Sequence, residues 1–93
     1  MSKHVVVFTM DSCPYCYDFK KMLEENEIDF IEADIDENEE EYEMFVKITE
    51  NEYVPAIMIV DEKGSSEFMA PDRDFEDLEE ALEKIKIELK KGT

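Results

Sequence analysis

The run Val5-Val6-Val7-Phe8 constrains this chain more than any other stretch. Four consecutive apolar residues, three of them β-branched, suit a central strand buried on both faces. That strand is expected over His4–Thr9. A helix start follows directly. Ser12 or Cys13 can cap it, and Pro14 takes the first helical position, where its missing N–H costs nothing. Tyr15, Phe19, Met22 and Leu23 recur at helical spacing on one face, and the helix is expected to stop near Asn26.

Downstream, residues 28–35 alternate, with Ile31, Ala33 and Ile35 on one side and Glu32 and Asp34 on the other, as a second strand does. Asp36 or Asn38 then begins a second helix with the stripe Tyr42, Phe45, Val46 and Thr49. Ala56–Val60 reads as another buried strand. Residues 61–65 form a turn around Gly64, and Glu67–Met69 returns from it as a short strand. Asp74, with Asp77 at the third helical position, starts a last helix carrying Phe75, Leu78, Leu82, Ile85 and Leu89. The order β-α-β-α-β-β-α predicts an α/β fold. Its opening strands pair in parallel through a right-handed crossover, and the hairpin completes a mixed four-stranded sheet flanked by helices.

Length and charge narrow the function. Ninety-three residues, without repeats or a Gly/Pro/Ser-rich linker, read as a single domain over 1–93. The net charge is −17, with 27 acidic residues against 10 lysines and arginines. Nucleic acid and anionic membrane surfaces would repel such a chain. A 43% hydrophobic content and ten Phe and Tyr residues argue for a folded core rather than disorder. The acid is uneven: residues 1–23 carry net +1, residues 24–52 net −13 and residues 53–93 net −5. No basic n-region or long apolar segment marks a leader or a span, and a close cysteine pair without one reads as cytoplasmic chemistry.

Cys13-Pro14-Tyr15-Cys16 is the pattern that carries chemistry. A helix N-terminus offers unpaired N–H groups and a positive dipole end, both favouring a thiolate. Cys13 is therefore the candidate exposed nucleophile. Cys16, less than one turn on, can reach back to close a disulfide or to attack a mixed disulfide held on Cys13. Two other readings of a CxxC stay open here: half a zinc site, for which only His4 and carboxylates remain as further ligands, and an inert core pair. The expected metal content is none.

With these residues in hand, the chain resembles a glutaredoxin, a small member of the thioredoxin-fold superfamily. The resemblance rests on CPYC, on the preceding VVVFTMDS, and on Val54-Pro55 before the strand AIMIV. It implies a thioredoxin-like fold, a redox-active Cys13–Cys16 disulfide and a cis bond between Val54 and Pro55. It also implies a substrate segment that pairs with the Val54 backbone. Tyr15, Val54, Pro55 and Asp74 become candidates for binding substrate or glutathione. Met10, Tyr53 and Met69 are further rim candidates. Thioredoxins typically read WCGPC, and this chain has no tryptophan.

Glutathione-using members commonly place a lysine three residues before the first cysteine, where this chain has Met10. Their Gly-Gly-x-Asp-Asp segment finds its nearest counterpart in Ala70-Pro71-Asp72-Arg73-Asp74, where Arg73 could replace a lost cation. Lys20 and Lys21 are the remaining cations that could favour the Cys13 thiolate. No bound cofactor is expected, with glutathione as co-substrate. By resemblance the partners are disulfide-containing or glutathionylated proteins, ribonucleotide reductase among them, and glutathione or a disulfide reductase as the source of electrons. The expected state is a monomer. A thioredoxin-like dithiol donor that uses no glutathione is the alternative, followed by a non-catalytic iron–sulfur or adaptor module. The negative field would slow anionic glutathione and steer a basic partner inward.

Overall fold

The computed structural model describes residues 3–64, 66–71 and 73–91. Four strands form one sheet: β1 (His4–Thr9), β2 (Ile31–Asp34), β3 (Ala56–Val60) and β4 (Ser66–Met69), in the spatial order β2-β1-β3-β4. The helices are α1 (Pro14–Glu25), α2 (Glu39–Thr49) and α3 (Leu78–Lys91). β1 lies parallel to β2 and antiparallel to β3, which pairs antiparallel with β4. This is the expected mixed sheet in a thioredoxin-like fold.

The apolar run of β1 explains the layering. Val5 and Val7 join Phe19 and Leu23 of α1 and Ala81, Leu82 and Ile85 of α3 on one face. Phe8 joins Phe45 of α2, Ala33 and Ala56 on the other. Alternate side chains of a strand point to opposite faces, so a run without polar breaks fills both. The Phe8 ring packs at a tilt, 5.8 Å from Tyr42 and 5.5 Å from Phe45, and Phe45 meets Phe68 edge-on at 5.5 Å. Each fully buried ring contributes about 1.5–3 kcal/mol of transfer free energy.

Two element boundaries and the buried face of one helix differ from the sequence expectation. β2 begins at Ile31 rather than at residue 28 because Ile28 is used to stop α1. Asn26 caps that helix, Glu27 turns left-handed at φ 57°, and the Ile28 N–H donates to the Leu23 carbonyl while the Glu27 N–H donates to that of Glu24. This crossed pair of bonds is the Schellman arrangement, here with a glutamate in the glycine position. In α1 the buried stripe is Cys16, Phe19 and Leu23, and Tyr15 is 67% exposed instead of packed with them. α3 starts at Leu78, later than expected, since Asp74 closes a turn: its N–H donates to the Ala70 carbonyl and its carboxylate accepts the Ala70 N–H. Asp77 is the cap instead, accepting the Glu80 N–H while the Glu80 carboxylate accepts that of Glu76. Asp72, of the Ala70–Asp74 segment, lies outside the described residues.

One ion pair ties α1 to the edge of the sheet. The Glu32 carboxylate of β2 accepts from Lys20 Nζ and from Thr9 Oγ1, each at 2.9 Å. Those two hydrogen bonds, Lys20 first, hold the Glu32 carboxyl below its usual range. A carboxylate favoured by folding stabilises above its unfolded pKa, about 4.3, and that contribution is lost as pH falls through the lower folded value. The urea midpoint of the protein should therefore exceed that of Glu32→Gln at pH 7, and the gap should close by pH 3. A gap that persists or widens in acid would contradict the assignment.

Candidate redox site

The cysteines sit where β1 hands the chain to α1. Ser12 turns left-handed at φ 63°, and Cys13 then caps the helix in extended conformation. Its sulfur occupies the place usually taken by a Ser or Asp oxygen and accepts the Cys16 N–H at 3.2 Å. The Tyr17 N–H donates to the Cys13 carbonyl, also at 3.2 Å. No acidic residue lies in the first turn of α1, so the positive end of the helix acts on Cys13, opposed by the carboxylate of Asp11 two residues before it in sequence.

The two cysteines are joined in a disulfide, with Cα atoms 5.3 Å apart, and their surroundings differ sharply. Cys13 is half-buried, whereas Cys16 is 2% exposed and belongs to the core stripe of α1. An incoming sulfur can therefore reach Cys13 and not Cys16. Among the described residues, no three His, Cys, Asp or Glu side chains gather as a metal site would require.

The sheet brings Val54 and Pro55 to the same end of the molecule. Phe8 pairs with Ala56, so Pro55 leaves β3 where β1 runs toward the cysteines. The Val54–Pro55 bond is cis. Neither backbone group of Val54 bonds to another backbone group among the described residues, which leaves a short edge free. Two side chains missed in the sequence brace this loop. Asn51 accepts the Tyr53 N–H at 2.9 Å and donates to the Pro71 carbonyl at 2.6 Å. Tyr42 Oη donates to the Glu52 carbonyl, and burial, with the Glu52 charge second, raises its hydroxyl above the usual tyrosine range. An Asn ahead of a Val-Pro is an ordinary loop residue in sequence, and only the approach of Pro71 reveals its work.

A cleft of about 500 Å³ opens beside these elements, reached by Tyr15 from between the cysteines and lined by neither cysteine itself. Tyr15, Tyr53, Val54 and Pro55 form one side, Pro71, Phe75 and Leu78 another. Asp18, Glu76 and Asp77 supply its charge. Four of the sequence candidates, Tyr15, Tyr53, Val54 and Pro55, thus meet in one place. Asp74 does not. It lines a separate depression with Met69 and Lys84, and its carboxylate is taken up by the Ala70 N–H and by Arg73 at 2.9 Å. That ion pair also takes the cation proposed as a substitute for a lost glutathione contact. Met69 is buried in the core rather than on a rim, and Met10 is exposed. Asp18 was legible in principle, since Tyr15 and Asp18 are three apart on one helix and so share a face.

Comparison with known protein families matches residues 5–63 to the family described as Glutaredoxin. The chain belongs to the glutaredoxin family. No curated protein matches the sequence. The matched span of this glutaredoxin includes both cysteines and the Val54–Pro55 bond, whereas Asp74, Glu76 and Asp77 lie beyond it. Among the described residues, no helix is long and apolar enough to cross a membrane.

The cations expected to assist the thiolate are engaged elsewhere. Lys20 is held by Glu32, and the Lys21 ammonium lies 5.5 Å from the centre of the Tyr17 ring. The helix end and the Cys16 N–H are left as the chief supports for negative charge on Cys13. In the reduced protein, the alkylation rate of Cys13 should show a midpoint between about pH 5 and the free-cysteine value near 8.5. A midpoint below about 5 would show a stronger stabiliser, and one at 8.5 would show that the helix end contributes nothing.

Proposed function

We propose that this glutaredoxin is a thiol–disulfide oxidoreductase in which Cys13 attacks and Cys16 resolves. The observation that carries this reading is the contrast between a half-buried Cys13 capping α1 and a buried Cys16 one turn on. In the reduced protein, the Cys13 thiolate attacks one sulfur of a substrate disulfide. The substrate S–S bond breaks, its second sulfur leaves as a thiolate and a mixed disulfide forms. Deprotonated Cys16 then attacks the Cys13 sulfur and releases the first substrate sulfur as a thiolate. Two electrons have passed to the substrate, and the protein is left with the Cys13–Cys16 disulfide.

Tyr15, Val54 and Pro55 act in this reading as the substrate wall, with the free Val54 backbone edge accepting an extended segment as an added strand. Family membership implies disulfide-containing protein substrates and glutathione in general. Two thiols of glutathione, or a dithiol reductase, restore the dithiol. The absence of a basic side chain among the described residues lining the cleft favours the second source, as in a thioredoxin-like donor.

Turnover of a protein disulfide and of a glutathione mixed disulfide should be lost in Cys13→Ser. Cys16→Ser should lose protein-disulfide reduction, and any activity it keeps toward the glutathione substrate measures the single-cysteine route. Normal turnover by Cys13→Ser with either substrate would refute the assignment of the nucleophile.

A further inference from the structure

We infer that the redox cleft is specific for disulfides borne on a polypeptide segment with lysine or arginine beside the reacting cysteine, and that it disfavours small anionic disulfides. This rests on the oxidoreductase reading of Cys13 and Cys16 and adds the chemical class of the substrate.

The cleft combines an apolar wall with carboxylates from two different elements. Tyr15, Tyr53 and Val54 offer surface for an extended backbone and its side chains. Asp18 projects from α1, while Glu76 and Asp77 stand at the start of α3. None of the three forms an ion pair with a lysine or arginine among the described residues. Asp77 spends one oxygen on the Glu80 N–H, and the Glu76 carboxylate extends from an exposed residue. The cations that could have neutralised this end are committed: Arg73 to Asp74, Lys20 to Glu32, and Lys21 over Tyr17.

Uncompensated charge of one sign in a cleft with low-dielectric walls acts on a segment that lies along Tyr15, the residue between the two cysteines, on its way to Cys13. A cationic flank is drawn in and gains partners at Asp18 and Glu76, whereas the carboxylates of a small anionic disulfide meet like charge. Specificity here is built as much from repulsion of the wrong substrate as from attraction of the right one.

The test uses the dithiothreitol-reduced full chain, freed of reductant, and three synthetic disulfide peptides differing only in flanking Lys, Ser or Glu. Oxidation of the Cys13–Cys16 dithiol is followed by acid quench and chromatography, and each rate is divided by that peptide's rate with dithiothreitol. At about 20 mM ionic strength the Lys peptide should react about tenfold faster than the Glu peptide, with Ser between. At 0.5 M salt the ratio should fall to about twofold or less. Asp18→Asn with Glu76→Gln should reduce the low-salt ratio about threefold, and Asp18→Asn alone should reduce it in part. Equal rates for the three peptides at low salt would overturn the selectivity and leave the oxidoreductase reading intact. A preference unchanged in the double variant would overturn the role of the cleft and assign selectivity to net charge. Failure of all three peptides to oxidise the protein would overturn the underlying reading instead.

Discussion

A cysteine stands where a helix usually places serine or aspartate, and much of the site depends on that substitution. The Cys13 sulfur accepts the Cys16 N–H and so closes the first turn of α1. The same contact aims a hydrogen-bond donor and the positive end of the helix at the atom that must carry charge when the disulfide is reduced. One hydrogen bond serves fold and chemistry together. It also sets the unequal exposure of the pair, because a helix begun at Cys13 turns Cys16 into the stripe that packs with Phe19 and Leu23.

The surrounding structure delivers a second surface to that point. β1 and β3 pair so that the Cys13 turn and the Val54–Pro55 bond emerge at one end of the sheet. Asn51 and Tyr42 hold the intervening loop by hydrogen bonds to backbone groups, and Asn51 also links it to Pro71 across the cleft. The outcome is a wall of backbone and aromatic surface at the same end of the sheet as the half-buried Cys13, joined to it through Tyr15, with carboxylates from α1 and α3 at its margin. The acidic composition, which first argues against nucleic acid as a partner, thus has a local expression beside the redox pair.

The parts legible in the sequence are those in which one physical signal acts alone. VVVF and AIMIV form strands close to the expected ranges because an unbroken apolar run has few other ways to be buried. Cys13 and Pro14 mark the start of α1 because a cap followed by proline has little meaning elsewhere. The errors fall where two elements compete for the same residue. Ile28 belongs by pattern to β2, yet its N–H completes the stop of α1. Asp74 has the chemistry of a helix cap, yet the turn at Ala70 uses its carboxylate, and Asp77 caps α3 instead. Asp18, Glu76 and Asp77 carry no local signal of a site, since what unites them is the packing of α1 against α3 on one face of the sheet.

The central claim is the division of labour between the two sulfurs, and trapping the intermediate tests it most directly. When a disulfide peptide is mixed with reduced Cys16→Ser protein, mass spectrometry of the intact chain and its fragments should find the peptide linked to Cys13. Cys13→Ser protein under the same conditions should stay unmodified, because Cys16 is buried. An adduct on Cys16 forming at a comparable rate would contradict the account.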